Sequence, residues 1–332
     1  MENIFETERK MKVSFVIPCY RSAQTLPIVV EEIRDTMMTS LEKDYEIILV
    51  NDASPDDTFN VIQRLCAEDP NVIGIDFAKN FGQHAGLMAG MNLASGDVIV
   101  CMDDDGQTPA SEVGKLLEKI EEGYDVVYAR YEHKMHSKFR NLGSRVNSLM
   151  TEKLLDKPKE LYLSSYFAVK RFVVEEMIQY KNAFPFVDGL LLRTTSNICN
   201  VDIQHRARIA GSSGYTLKKL IGLWVNGFTA FSVKPLRMAT YVGCITAMAG
   251  FLYAIYTIIK KIVDPTVPVG WSSTMAVLLA MGGMILLVLG LIGEYIGRMY
   301  ICQNRSPQYV IRSIVNVDSL NQEEKTEHKA CL

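Results

Sequence analysis

The chain has 332 residues, and its 35 Lys and Arg nearly cancel 38 Asp and Glu to leave a formal net charge of −3. No global charge draws it to a polyanion, so nucleic acid is not an expected partner. The length allows one large domain or two moderate ones. The mean hydropathy of +0.08 averages a soluble stretch, 1 to about 235, with a far more apolar one, about 236–300.

Residues 1–10 are polar, without the apolar core of a signal peptide. Residues 12–19 (KVSFVIPC) predict a first strand, and 24–41 a helix with Leu26, Val29, Val30, Ile33 and Met37 on one side. A buried strand at 46–50 closes on the polar turn 51–58, and a helix follows over about 57–67. A strand at 72–77, a helix over about 83–93 and the tetrapeptide Ala94-Ser95-Gly96-Asp97 come next. The apolar run 98–102 then leads into Asp103-Asp104-Asp105. Further strands are predicted at 125–129 and 164–169, separated by a basic stretch over 131–145, and 211–215 reads as a flexible junction. Strands alternating with helices imply a mostly parallel α/β sheet covered on both faces. Seven scattered cysteines, with no C-x-x-C spacing, read as reduced thiols in a cytoplasm.

In such sheets ligands bind beyond the carboxyl ends of the strands, where Asp52 and Asp103–Asp105 fall. Side chains alternate along an extended chain, so Asp103 and Asp105 can share one site while Asp104 points away. Like charges this close repel unless a cation or strong donors answer them. A hard divalent ion, Mg²⁺ or Mn²⁺, bridging them to a diphosphate is one answer, and a solvated acidic turn is the plain alternative. Asp52 is placed to accept hydrogen bonds from a base or ribose, and Pro18, Cys19 and Tyr20 can wall the same pocket. His84, nearby in sequence, is either a polar contact or a base.

Residues 239–259 and 272–293 are each uncharged and long enough to cross a bilayer core of about 30 Å. The connection 260–271 is short and contains Pro265, Pro268 and Gly270, which predicts an antiparallel hairpin. Lys218, Lys219, Lys234 and Arg237 precede it, and Arg298, Arg305 and Arg312 follow it, against Lys260 and Lys261 in the loop. The positive-inside rule then places the large domain and both termini in the cytoplasm, on a multi-pass protein of the inner membrane. The amphipathic stretch 216–235 is expected at the interface, and 301–332 as a tail, disordered from about Asn316.

Val16-Ile17-Pro18-Cys19-Tyr20, Val50-Asn51-Asp52-Ala53-Ser54, Lys79-Asn80-Phe81-Gly82-Gln83, Ala94-Ser95-Gly96-Asp97 and Met102-Asp103-Asp104-Asp105-Gly106-Gln107-Thr108-Pro109 occur in this order. Together with the hairpin they resemble glycosyltransferase family 2, over about residues 10–312. Within it they are similar to the polyprenyl-phosphate branch of dolichyl-phosphate mannose synthase and the bactoprenol glucosyl- and aminoarabinosyl-transferases. The resemblance implies a GT-A, Rossmann-like catalytic domain over 1–215, then the interfacial segment 216–235 and the transmembrane hairpin 236–300. It implies inverting, metal-dependent transfer of one sugar from a nucleotide-sugar, a UDP-sugar first among the candidates, to a polyprenyl phosphate such as undecaprenyl phosphate. Such transfers serve cell-wall or surface-polysaccharide biosynthesis, and related enzymes suggest a homo-oligomer.

By the same resemblance Asp52 contacts the nucleotide, Asp103 and Asp105 form the D-x-D pair, and Gln107 neighbours the metal or diphosphate. Arg140 and Ser144 match an Arg-x-x-x-Ser element for the acceptor phosphate, Arg130 an arginine near it, and Arg208 the first residue of the R-x-x-G-x-S-K-Y junction. The chain departs from the pattern in three places. Arg21-Ser22 follows Tyr20 where a Glu is usual, Thr108-Pro109-Ala110-Ser111 replaces D-P-P-E, and Gly214 replaces the junction lysine. A base is not required, because a phosphate monoester with a second pKa of about 6 arrives as a dianion. Two alternatives stay open: a processive polysaccharide synthase, although no Q-x-x-R-W segment is present, and a catalytically inactive membrane-anchored binding module.

Overall fold

A computed structural model describes residues 11–131, 157–204, 234–263 and 270–316. Eight strands form one sheet in the order β7-β5-β6-β4-β1-β2-β3-β8. The first four are β1 (Val13–Cys19), β2 (Tyr45–Asn51), β3 (Val72–Phe77) and β4 (Val98–Cys101). They pair in parallel about β1, so their carboxyl ends lie along one edge of the sheet. The other four are β5 (Val126–Tyr131), β6 (Phe167–Lys170), β7 (Ile198–Ile203) and β8 (Ile311–Val315). Strand β6 runs antiparallel to β4 and β5, and β7 parallel to β5. The mostly parallel α/β architecture follows the expectation.

Helices cover both faces because the strands are apolar on both sides. Helices α1 (Leu26–Asp35), α2 (Thr58–Glu68) and α4 (Val113–Glu121) pack on one face. In α4 the buried residues Val113, Leu116, Leu117 and Ile120 recur at helical spacing, each contributing about 1.5–3 kcal/mol. Helices α3 (Gln83–Leu93), α5 (Arg171–Met177) and α6 (Val187–Thr194) cover the other face. Helix α3 lies unusually close to β1, since a Cβ on Gly90 would fall 2.3 Å from Val16 Cγ1. Nearer the start of α3, a Cβ on Gly86 would fall 3.1 Å from Pro18 Cβ, which keeps the first turn of the helix beside the carboxyl end of β1.

At the opposite pole, the Ala94-Ser95-Gly96-Asp97 tetrapeptide serves the fold. Glu46, buried, accepts from Lys12 Nζ at 2.8 Å, Ser14 Oγ at 2.6 Å and both the amide and hydroxyl of Ser95. Asp97 takes the Lys12 amide at 2.9 Å.

Helices α7 (Lys234–Val263) and α8 (Trp271–Gln303) form the apolar pair, longer at both ends than the predicted spans. Met281–Gln303 is long and apolar enough to cross a membrane, while Ala239–Tyr253 is a shorter apolar stretch. Large side chains such as Tyr241, Ile245, Phe251, Leu286 and Leu289 are exposed along the pair. The interfacial segment 216–233 and the remainder of the tail, from 317, lie outside the described residues. Residues 301–316 differ from the expected tail: Ile311–Val315 pairs antiparallel with β3 as the edge strand β8. Its exposure alternates, with Ile311, Ser313 and Val315 the less exposed side, but five residues beyond a long apolar helix carry too little signal to read as sheet.

Burial opposes the charge on Glu46, yet donation by Lys12, Ser14 and Ser95 outweighs it and holds the carboxyl below its ordinary value of 4.5. A lowered carboxyl adds stability above that ordinary value and loses it as pH falls through the lowered one. Glu46→Gln is expected to cost about 1–3 kcal/mol at neutral pH, read as a lower thermal midpoint. The gap from wild type should narrow on acidification below pH 4.5; a gap independent of pH would show that the charge on Glu46 is not what stabilises this pole.

Candidate active site

The site is built on the carboxyl ends of β1, β2 and β4. Beyond β1, Arg21 adopts φ 60°, and beyond β2, Ala53 adopts φ 49°, left-handed conformations that cost non-glycine residues about 1 kcal/mol each. The two turns are tied together by the Arg21 amide on Ser54 Oγ at 3.1 Å and the Asp52 amide on the Cys19 carbonyl at 3.0 Å. Tyr20 projects, 47% exposed, with the Arg21 guanidinium 5.5 Å from its ring centroid. Pro18, two residues earlier, is partly buried.

Asp52 is buried, and its carboxylate accepts the amides of Phe81 at 2.6 Å and Gly82 at 2.8 Å. Its carbonyl takes Asn80 Nδ2 at 3.1 Å. Burial raises the Asp52 carboxyl and the two amides counter it, with a net upward shift. Asp52 therefore organises the 80–82 loop, where Gly82 has φ 92°, a value open to glycine without strain. Each carboxylate oxygen keeps a second lone pair for another donor.

The chain bends over 104–106 as it leaves β4, so strand alternation does not carry through the three aspartates, and Asp104 meets the turn after β1 rather than pointing away from the site. Its carboxylate accepts the Tyr20 amide at 3.0 Å and the Ser22 hydroxyl, and so anchors the turn after β1. Asp103 accepts Gln83 Nε2 at 2.9 Å and the Ser165 hydroxyl. Asp105 accepts the Gln107 amide at 3.0 Å, which folds the loop back through Gly106 at φ 71°. Burial, opposed by Ser165 and Gln83 but reinforced by Asp105 and Asp104, pushes the Asp103 carboxyl up to about 6.

Among the described residues no group of three or more His, Cys, Asp or Glu forms a closed metal cage. A two-carboxylate clamp completed by phosphate oxygens is the way Mg²⁺ is commonly held, and the donor set of Asp103, Asp105 and the Gln107 amide oxygen fits a hard cation. In the same loop, the Thr108 hydroxyl is buried without a hydrogen-bond partner, an unsatisfied group of the kind functional loops retain.

Arg130 is exposed and bidentate to Asp202 of β7, at 2.5 and 2.8 Å. Arg140, Ser144 and Arg208 lie outside the described residues. His84 packs edge-on against Phe186, and its Nδ1 lies 3.4 Å from the Val187 amide. Burial depresses it to about 4, so it is neutral near pH 7. Sequence reasoning missed Gln83, Ser165 and Ser22. Ser22 was visible as a departure from the family pattern and Gln83 as the end of the Lys79–Gln83 motif, though without a role, whereas Ser165 reaches Asp103 from 62 residues away with no local signal.

A model of "Glycosyl transferase family 2" matches residues 14–178, and one of the "GtrB C-terminal hairpin" matches 234–299. The chain is 32% identical over 312 residues to the uncharacterised glycosyltransferase YkcC of Bacillus subtilis, covering 94% of this chain and 96% of that one. It is 32% identical over 323 residues to the undecaprenyl-phosphate 4-deoxy-4-formamido-L-arabinose transferase of Proteus mirabilis, covering 96% and 99%. Among solved structures, the glucosyl-3-phosphoglycerate synthase of Mycobacterium tuberculosis, in complex with Mn²⁺, UDP-glucose and phosphoglyceric acid, superposes with a TM-score of 0.46. It shares 18% identity over 63% of this chain and 74% of that one.

A carboxyl raised in the folded state lowers stability as pH climbs from its ordinary value of 3.8 through about 6. Asp103→Asn is therefore expected to raise the thermal midpoint of the cation-free protein at pH 7.5 and to abolish the further rise that wild type shows with Mn²⁺ and a nucleoside diphosphate. A variant that is less stable without cation, or that keeps the ligand-induced rise, would remove Asp103 from the clamp.

Proposed function

Since the chain belongs to glycosyl transferase family 2 and is a glycosyltransferase of its polyprenyl-phosphate branch, we propose that it transfers one sugar from a nucleotide-sugar to a polyprenyl phosphate. The transfer is inverting and takes place at the cytoplasmic face of the membrane. The observation that carries this reading is the presentation of Asp103 and Asp105 beyond β4, beside the Tyr20 and Asp52 turns. Three strand ends thus bring an exposed tyrosine, a buried aspartate and a carboxylate pair to one edge of the sheet, which suits a base, a ribose and a diphosphate in that order.

Asp103 and Asp105, with Gln107, would hold Mg²⁺ or Mn²⁺, which when bound neutralises charge on the departing nucleoside diphosphate. Gln83 and Ser165 fix the orientation of the Asp103 carboxylate, so that it need not reorganise as the donor enters. Tyr20 stacks on the base, and the Arg21 guanidinium above its ring extends that plate. On the acceptor side, Arg140 and Ser144 hold the lipid phosphate, and Arg208 at the junction faces the same charge. Arg130 takes part by sharing its fork between Asp202 and the incoming phosphate. The nucleophile arrives ionised, so the neutral, packed His84 is not asked to take a proton.

Helices α7 and α8 keep the lipid chain and the site together. At about 1.5 Å per residue, the 33 residues of α8 extend about 50 Å, beyond the roughly 30 Å of a bilayer core. Their exposed apolar side chains face lipid in this reading. The GtrB-type hairpin match and the names of the undecaprenyl-phosphate relatives support it.

Purified full-length protein with undecaprenyl phosphate, Mn²⁺ and labelled UDP-, GDP- or dTDP-sugars should give an organic-soluble glycolipid with one donor class, lost on chelation. No such product with any donor would sink the proposal, and polymer made without lipid acceptor would favour a processive synthase. Asp105→Asn should cut turnover by about 100-fold or more, and wild-type activity would exclude Asp105. Arg140→Ala should raise the KM for the lipid more than that for the donor; the reverse pattern would move Arg140 to the donor side.

A further inference from the structure

The segment that returns from the apolar hairpin does more than cap the sheet edge. Gln308 is buried and donates through Nε2 to the carbonyls of Tyr180 and Asn182, at 3.1 Å each. Tyr309 stacks on Phe77, with centroids 5.5 Å apart and planes 9° from parallel. Phe77 in turn meets Phe81 edge-on at 5.6 Å. The Ala78 amide donates to the Val310 carbonyl at 2.9 Å, and Arg312 Nη2 donates to the Ala78 carbonyl at 3.0 Å. Ala78 is therefore held on both its backbone groups by residues that follow the hairpin.

Arg312 also reaches Asp76, Nη1 to Oδ2 at 3.0 Å, while Asn51 Nδ2 holds the other oxygen of that buried carboxylate at 2.7 Å. Asn51 Oδ1 then accepts the Ser54 amide at 3.2 Å. One guanidinium thus bears on both sides of the Asp52 site. Through Asp76 and Asn51 it reaches the 51–54 turn, and through Ala78 it reaches the start of the 79–82 loop whose amides fill Asp52. The Arg312 side chain is 62% exposed, but the Asp76 side chain that it pairs with is only 4% exposed. Removing the guanidinium takes the charged partner from a buried carboxylate and costs stability as well as geometry, so the two effects are separated by a control of matched stability.

We propose that Arg312 is a positioning residue of the nucleotide pocket, and that strand β8 couples the hairpin to donor binding by holding the 78–82 loop against Asp52. The proposal rests on the donor-binding reading above and extends it to a residue that the charge pattern counted only as a flank of the apolar segment.

The test uses full-length protein in detergent, with Mn²⁺ and UDP, GDP or dTDP as probes, and compares three variants by calorimetric Kd and thermal midpoint. Asn316→Ala is the control, because Asn316 Nδ2 fastens the far end of β8 to the carbonyls of Cys66, Asp69, Pro70 and Val72 without touching the 78–82 loop. Arg312→Ala should weaken the bound nucleotide by about tenfold or more, with Arg312→Lys intermediate and Asn316→Ala within about twofold of wild type at a comparable loss of thermal midpoint. Equal weakening by Arg312→Ala and Asn316→Ala would assign the effect to strand stability and overturn the proposal, as would unchanged affinity in Arg312→Ala. Wild-type protein that binds none of the three nucleotides would sink the donor-binding reading, and the proposal with it. Wild-type binding with an unaffected Arg312→Ala sinks the proposal alone.

Discussion

Too much negative charge is gathered at one edge of the sheet, and the architecture around that edge is organised by how the charge is answered. Asp52, Asp76, Asp103, Asp104 and Asp105 all stand at or just beyond the carboxyl ends of β2, β3 and β4. Each is given donors of a different kind. Backbone amides serve Asp52, an arginine and an asparagine serve Asp76, and an amide and a hydroxyl serve Asp104. Asp103 receives only neutral donors while two like charges stand beside it. Asp103 is thus left with like charges that its neutral donors do not cancel, a tension that the proposed cation would relieve.

Much of this was legible in the chain itself. The α/β alternation and the strands that carry Asp52 and Asp103 follow from period-2 and period-3.6 patterns, which are local. What escaped were contacts made across the sheet. Asp104 looked idle because its partners, Tyr20 and Ser22, lie more than 80 residues earlier. Strand β8 looked like tail because Ile311–Val315 is short and does not alternate apolar with polar residues, and its partner strand is 236 residues away, counted from Asp76 to Arg312. Ala94-Ser95-Gly96-Asp97 travels with the site motifs in sequence, yet it sits at the opposite pole, fastening β1 to β2 through Lys12 and Glu46.

Donor and acceptor machinery are built in different ways. The donor crevice rests on rigid strand ends and interlocked turns, which suits a leaving group that must be held in one geometry. In the proposed reaction the acceptor is a lipid confined to two dimensions, so the hairpin would arrange much of its approach. The arginines proposed for the acceptor would then have the smaller task of aligning a phosphate already near the site.

The pairing of β3 with β8 also bears on how the molecule is made. During synthesis β3 emerges early, and its outer edge offers unpaired amides and carbonyls until Ile311–Val315 has been translated. An open strand edge invites pairing with other chains. Closure must wait for both apolar helices to be produced and settled, because β8 follows them directly. Biogenesis is thereby ordered: the sheet cannot be completed before the hairpin, and a chain that stalls within the hairpin is left with an open edge, exposed to aggregation and to quality control.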